Sequence, residues 1–252
     1  MKITRYNLQA PTLPRGLRIA LVADLHAHAP DAAVQAVQSL APDIICLAGD
    51  MTEALDGTSD AQNEHGFAAL RAFAAIAPTF YAPGNHEIGG GRKHMRKYPG
   101  QSGITAQNRA RIAACGVQFL DNTFVEWQGI AIGGLGSGVL NPDKKPDLAA
   151  LQPFFACGGY KILLCHHPEY YAPYLQEQPV DLVLAGHAHG GQWRLLGKSI
   201  YAPDQGLFPK YARGMYQGRL VVTSGAANTA RPIPRLCNPR EVVCMDLNKK
   251  EQ

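Results

Sequence analysis

Five apolar runs punctuate the chain, and each breaks abruptly into polar residues. Residues 18–23, 43–48, 79–82, 160–165 and 181–185 lack polar alternation, the pattern of strands buried on both faces. Between the first two runs, Ala33, Val34, Val37 and Leu40 fall at helical spacing over residues 31–40, and Pro42 stops the helix. A strand–helix–strand unit of this length predicts parallel pairing with a right-handed crossover. Further helices are predicted over residues 66–77, 105–115 and 146–155, and another starts at Pro168-Glu169. Residues 1–8 alternate weakly and suit an edge strand. Residues 116–120 begin a set of short strands, 123–127 and 129–133 read as a hairpin, and strands are expected around 192–195, 220–223 and 241–247. Residues 201–217, rich in Gly, Pro and Tyr, read as ordered loop, and residues 248–252 as a frayed tail. Gly133-Gly134-Leu135-Gly136-Ser137-Gly138 lacks the glycine spacing and following helix of a dinucleotide fingerprint, so it reads as a loop beside a site. With no repeat or linker, a single domain over residues 1–252 is expected.

The residues that end each run matter more than the runs themselves. The first ends in Asp24-Leu25-His26, the second in Gly49-Asp50, the third in Gly84-Asn85-His86-Glu87, the fourth in His166-His167-Pro168 and the fifth in Gly186-His187-Ala188-His189-Gly190-Gly191. Alternate side chains of a strand share one side, so Asp24 with His26, and His187 with His189, can each address one point. In open α/β sheets ligands gather outside the carboxyl ends of the strands. Chance gives one or two such endings; five point to one polynuclear metal centre. The mixed Asp, Asn and His donors suit manganese, iron or zinc better than an all-oxygen magnesium cage. They also outnumber the needs of one ion, so two ions sharing a carboxylate is the economical reading. Ions about 3.5–4 Å apart clamp the attacking and leaving oxygens of an in-line displacement and acidify a bridging water. Phosphate esters are the natural substrates of such a centre.

Composition narrows the field. With 46% hydrophobic and 17% charged residues the chain is globular. Its formal charge of +4 suits anionic substrates, but without a basic-aromatic stripe it does not argue for nucleic acid. None of the six cysteines forms a Cys-x-x-Cys, and several lie in apolar runs, so a reduced interior explains them better than disulfides or a zinc knuckle. The N-terminus lacks the apolar core of a signal peptide, and no run approaches the ~20 residues of a membrane helix. The sequence therefore predicts a cytoplasmic protein, with peripheral membrane contact left open. The segment Arg92-Lys93-His94-Met95-Arg96-Lys97 reads as a solvated face or, more sharply, as a basic lid over an anionic substrate.

The order Asp-x-His, Gly-Asp, Gly-Asn-His-Glu, His, Gly-His-x-His resembles the calcineurin-like metallophosphoesterase superfamily. Gly186 to Gln192, Tyr201-Ala202-Pro203 and Pro209-Lys210-Tyr211 are similar, more narrowly, to its bacterial single-domain phosphodiesterase-like branch, some members of which hydrolyse the pyrophosphate of UDP-diacylglucosamine. The resemblance implies an α/β fold, a four-layer αββα sandwich of two mixed β-sheets flanked by helices. It implies two divalent metal ions, manganese first and iron or zinc as alternatives. Asp24, His26 and His189 would hold one ion, Asn85, His166 and His187 the other, and Asp50 would bridge. His86 would act on the transition state or the leaving oxygen, and Glu87 would orient its neighbours or serve as an ordinary surface residue. His166 is preferred over His167 because it comes first after the strand. His28 has a weak claim on the site, and His65 and His94 read as surface residues.

The implied activity is hydrolysis of a phosphodiester or pyrophosphate bond by in-line attack of a metal-bridging hydroxide. The substrate would be a small phosphate ester, with nucleotide-sugar or lipid-linked compounds in view. A phosphomonoesterase or protein phosphatase on the same site competes, as does a non-catalytic scaffold, against which the intact His86 and full ligand set argue. Members of the branch commonly begin with a membrane-spanning or export segment, missing here. Residues 224–235 also depart from the branch pattern, and within them Arg231 and Arg235 read more safely as solvated than as contacts to a substrate phosphate.

Overall fold

A computed structural model describes residues 1–53, 60–89, 103–227 and 234–249, with the backbone alone at 60–62. One six-stranded sheet is built from β1 (Lys2–Gln9), β2 (Leu17–Val22), β3 (Ile44–Ala48), β4 (Thr79–Ala82), β5 (Gln118–Phe119) and β16 (Glu241–Asn248), in the order β1-β16-β2-β3-β4-β5. The second is built from β6 (Thr123–Trp127), β7 (Ile130–Leu135), β8 (Tyr160–Cys165), β9 (Leu182–Ala185), β14 (Gly214–Tyr216) and β15 (Leu220–Val222), in the order β14-β15-β9-β8-β7-β6. Both are mixed. β2, β3, β4 and β5 run parallel, as do β7, β8, β9 and β15, while β16 is antiparallel to β2 and β6 to β7.

The apolar runs are buried on both faces because each sheet is covered on both sides. Along β2, Ile19 and Leu21 point into the core between the sheets, where Ile44, Phe80, Ile132, Ile162 and Leu184 also lie. Ala20 and Val22 point the other way, onto the core under the helices. There α1 (Asp31–Leu40), α2 (Asp60–Ile76) and α3 (Ala106–Ala114) contribute Val37, Leu40, Phe67, Leu70, Phe73 and Ile112. A third core beneath α4 (Gln152–Ala156) joins Phe154 and Phe155 to Leu163, Cys165 and Val183. The layers are therefore helix, sheet, sheet, helix. The end of α1 is marked by Ala41 in a left-handed conformation (φ 45°) ahead of Pro42.

Several expectations need correction. The predicted helix over 146–155 is a short 3₁₀ turn, Ala149–Leu151, followed by α4; Pro153 carries no N–H, which suits only the first turn of a helix. After Pro168 the chain makes a 3₁₀ turn and then one π turn, Tyr171–Leu175, not a regular helix. Gly133 and Gly134 belong to β7, and only 136–138 form the expected loop. Residues 201–217 are more than loop: they hold the hairpin β12 (Tyr201–Ala202) with β13 (Gly206–Leu207), and then β14. Just before it, β10 (Arg194–Leu195) and β11 (Lys198–Ser199) form another hairpin. α2 begins well ahead of residue 66, and β16 runs through Asn248. Residues 90–102, with the basic segment and His94, lie outside the described residues, as do Arg231 and the last three residues of the tail.

One buried ion pair ties the chain ends to the second sheet. Glu241, at the start of β16, is 1% exposed; Arg213 Nε donates to both its oxygens at 3.1 Å and the Ser224 amide donates at 3.0 Å. Thr4 Oγ1 on β1 also donates to it. Burial pushes this carboxyl up, but the bonds from Arg213 and then Thr4 outweigh it and hold Glu241 below the usual glutamate range. An acid depressed in the fold adds stability above its unfolded pKa, about 4.3, and loses it as pH falls towards the folded value. Glu241→Gln leaves Arg213 without a counter-charge and is expected to cost about 3 kcal/mol at pH 7. It should also flatten the acid limb of the stability curve. Denaturant melts of both proteins at neutral and acid pH check this; equal stabilities at pH 7 would refute it.

Candidate metal centre

The side chains singled out in the sequence leave the carboxyl ends of five strands drawn from both sheets. Asp24 and His26 follow β2, Asp50 follows β3, and Asn85 and His86 follow β4; His166 follows β8, and His187 and His189 follow β9. Backbone bonds stitch these loops together. Asp24 N donates to Gly49 O (3.1 Å), His26 N to Asp50 O (2.9 Å) and Gly186 N to His166 O (3.1 Å). Asp24, His26, Asp50, His187 and His189 all adopt positive φ, between 47° and 63°. Side-chain-bearing residues avoid this region, at roughly 1–3 kcal/mol each, and such strain gathers where structure over-determines function. Here it turns the side chains inward immediately after the strand. Gly49 (φ 82°) and Gly84 leave the room required. A Cβ on Gly49 would lie 2.5 Å from His166 Nδ1, and one on Gly84 would collide with Asp50 Oδ1.

Among the described residues four groups of potential ligands have donor atoms within 4.8 Å of one another. His26, Glu53 and His86 form one, and His167, Glu169, His187 and Asp204 another. The remaining two consist only of strand-end residues: Asp24, His26 and His189, and Asp50, His166 and His187. Asp50 Oδ2 stands between them, 3.1 Å from His166 Nε2 and 3.6 Å from His26 Nε2. Asp24 Oδ1 is 3.7 Å from His189 Nε2 and 3.9 Å from His26 Nε2, and the His187 amide donates to both Asp24 oxygens at 3.1 Å.

Whether this donor set fits a cation is answered by the atoms left over. Nε2 of His26, Nε2 of His166 and Oδ1 of Asn85 are buried and make no hydrogen bond. Buried polar atoms are rarely left so, since each costs about 1–3 kcal/mol. His166 Nδ1 lies 2.7 Å from the Ala48 carbonyl; that oxygen can only accept, so Nδ1 carries a hydrogen and Nε2 is the atom that faces Asp50, where a proton or a cation can sit. His26 Nδ1 lies 3.2 Å from Glu53 Oε1, which orients that ring in the same way. A carboxylate or carbonyl behind each imidazole is the usual second layer of a metal site.

The charges agree. Asp24 and Asp50 are 0% and 1% exposed. Burial raises Asp24, and the neighbouring Asp50 charge adds to that. Burial opposes the charge on His166 too, but Asp50 pushes it up to about 9. The buried carboxylates thus demand positive charge, which protons on imidazoles or bound cations can supply. The residues fit bound metal cations.

His86 stands apart from the two strand-end groups. Its side chain is 31% exposed, its Nε2 lies 4.0 Å from Asp50 Oδ2, and its Nδ1 lies 2.6 Å from Glu53 Oε2. Burial works against its charge, but Asp50 and then Glu53 push it up to about 10. Asp50 and Glu53 thus favour the protonated form of His86, whose side chain is partly open to solvent. Glu87 is no surface residue: at 3% exposure it accepts from the amides of Asp50, Met51, Thr52 and Gly84 and from the Tyr81 hydroxyl.

Other readings resolve similarly. His167 is buried and packed, its Nδ1 2.8 Å from Glu169 and its Nε2 2.7 Å from Ser137 Oγ, and it is His166 that faces Asp50. His28 is half-buried and His65 exposed. Arg235 is not solvated: Nη2 donates to the carbonyls of Ser224 (2.6 Å) and Ala227 (2.7 Å) and lies 3.5 Å from His189 Nδ1. Burial lowers it to about 10.

Sequence reasoning missed Glu53, which joins His26 to His86, and Asp204, whose Oδ2 lies 2.9 Å from His187 Nε2. It also missed Asn238, whose amide donates to His189 O at 2.5 Å. Glu53 had a signal, an acid three residues past the strand-ending Asp50; the other two had none.

A calcineurin-like phosphoesterase family model matches residues 17–191 of this chain. An uncharacterised metallophosphoesterase of Campylobacter jejuni, Cj0846, is 28% identical over 99% of this chain and 64% of its own length. A second, from Helicobacter pylori strain 26695, is 25% identical over 100% of this chain and 65% of its own length. The chain thus spans just under two thirds of these relatives. Phosphodiesterase YaeI of Escherichia coli is 28% identical over 82% of this chain and 70% of its own length.

Proposed function

The chain belongs to the calcineurin-like phosphoesterase family, and from that premise we propose that it hydrolyses a phosphodiester or pyrophosphate bond at a centre of two divalent cations. The observation that carries this is the convergence of His26 Nε2 and His166 Nε2, both buried and without a hydrogen bond, on the carboxylates of Asp24 and Asp50, with Asn85 Oδ1 a further buried oxygen left unpaired at the end of β4. Asp24, His26 and His189 would hold one ion and Asn85, His166 and His187 the other, with Asp50 available to both. Manganese suits these donors best, with iron or zinc as alternatives. When bound, the ions supply Lewis acidity towards the phosphoryl oxygens and a nucleophile from water near neutral pH.

The remaining work falls to the chain. His86, partly exposed and with Nε2 4.0 Å from Asp50 Oδ2, would deliver a proton from Nε2 to the departing oxygen. Glu53 grips His86 Nδ1 and keeps that proton on the far nitrogen. Asp204 and the Ala48 carbonyl fix the rings of His187 and His166. The substrate is a small phosphate ester, with nucleotide-sugar and lipid-linked compounds the classes to try first. A diester is favoured because the YaeI relative carries the name phosphodiesterase. The free cysteines, with Cys46, Cys115, Cys165 and Cys244 buried, fit a reducing cytoplasm.

The test is turnover of bis-(p-nitrophenyl) phosphate and of the mono-ester by manganese-loaded protein, with bound metal measured on the same sample. Faster diester hydrolysis is expected. Faster mono-ester hydrolysis would make the protein a phosphomonoesterase, and no turnover with any metal would leave a scaffold.

A further inference from the structure

Single exposed leucines call for no explanation, but a cluster does. Among the described residues, every strongly exposed large apolar side chain except Met1 lies between Trp193 and Phe208 or at Leu236. Leu196 is 96% exposed, Phe208 72%, Leu207 70%, Leu195 67% and Leu236 60%. The segments that bear them are joined by backbone bonds. Arg194 N donates to Leu236 O (3.0 Å), Ile200 N to Trp193 O (2.9 Å) and Phe208 N to Ile200 O (2.8 Å). They form one patch, presented on the tip of the β10–β11 hairpin and the open end of the β12–β13 hairpin.

The turn at the β10–β11 tip is informative. Leu196 and Gly197 both have positive φ (48° and 81°), the two-residue turn in which Asn-Gly is the preferred pair. A leucine is strained there, and nothing in the fold rewards it, because its side chain packs on almost nothing. Phe208 repeats the arrangement at φ 52°. Both residues add local strain in order to hold an apolar group out in water.

The charges of these segments choose the occupant of the patch. Lys198, Lys210 and Arg240 are exposed in the same segments, and in residues 193–213 and 234–240 Asp204, set against His187, is the sole acid. A second copy of this face would bring like charges together. Protruding Leu, Phe and Trp side chains in segments that also carry Lys and Arg match the apolar–polar boundary of a bilayer carrying negative head groups. The patch also borders the metal centre, for Ser199 Oγ donates to Gly190 O at 3.0 Å beside His189.

We propose that the two hairpins dock the protein on an anionic membrane surface, with the centre beside the head-group layer. This does not depend on what the centre hydrolyses, and its test reads binding without turnover. The full chain is co-sedimented with vesicles of phosphatidylcholine alone or with about 30% phosphatidylglycerol. Binding to the anionic vesicles, weakened by salt, is expected, with a blue shift of tryptophan emission. Leu196→Asn combined with Phe208→Ser should weaken it about tenfold by removing apolar anchors. Leu196→Asn alone should leave the melting temperature unchanged or raise it, because it installs the preferred turn residue; a merely structural leucine would lower it. Absence of vesicle binding, equal binding to neutral vesicles, or a dimer in sedimentation velocity that Leu196→Asn dissolves would overturn the proposal.

Discussion

Asp50→Ala is expected to abolish hydrolysis together with metal binding, whereas His86→Ala abolishes hydrolysis and leaves the metal in place. Asp50 Oδ2 faces imidazoles from both ligand groups, 3.1 Å from His166 Nε2 and 3.6 Å from His26 Nε2. No other carboxylate is so placed among the described residues. Removing it deprives both groups of their common oxygen and leaves His166 buried without the charge that pushes it up to about 9. His86 is different in kind. It touches solvent, and Asp50 and then Glu53 favour its protonated form, so in the proposed mechanism its loss removes a proton donor and not a ligand. General acid–base groups contribute about 10²–10⁴ in rate, and a fall of about 10³ is expected for His86→Ala with unchanged manganese content. Metal analysis after dialysis, alongside diester turnover, separates the two. Equal metal loss in both variants would sink the role given to His86.

The clustering of the candidate ligands was legible in the sequence because these residues sit where strand geometry delivers them. An apolar run such as residues 160–165 can only be a strand buried on both faces here, and the first side chains beyond it emerge at the sheet edge. The same holds for Asp24, Asp50, Asn85 and His187, so the buried strands and the candidate ligands were read from one pattern, while the two-sheet sandwich came from the family resemblance. The supporting layer was not, since it depends on separation in sequence that leaves no periodicity. Asp204 meets His187 from a Gly- and Pro-rich stretch, and Arg235 reaches two carbonyls from a segment read as solvated. The β10–β11 hairpin was hidden for another reason: Leu196-Gly197 stands where turn chemistry looks for Asn-Gly. Glu87 was read as an even choice between surface and site. Sequence places it beside His86 but says nothing of the amides gathered around its carboxylate.

Those amides make Glu87 the second position of large effect. Oε1 accepts from Met51 N (2.7 Å), Thr52 N (2.9 Å) and Tyr81 OH (2.5 Å), and Oε2 from Asp50 N (2.9 Å) and Gly84 N (2.7 Å). One side chain thereby ties the loop after β3 to the loop after β4 and holds the Asp50 backbone at φ 54°. Glutamine has nearly the same shape, but it must turn an NH₂ group towards one of these donor sets. At least two buried donors then lose their acceptor, at about 1–3 kcal/mol each. Glu87→Gln should therefore lower stability by about 4 kcal/mol, or the melting temperature by about 10 °C for a chain of this size. Metal affinity should fall as well, although Glu87 touches no ion, because Asp50 is released from its strained turn. Thermal melts with and without manganese read both effects. If Glu87→Gln melts with the wild type, the buried carboxylate is not what holds Asp50 between the two groups, and the shared-oxygen geometry must be imposed by the Asp24 and Gly49 backbone bonds instead.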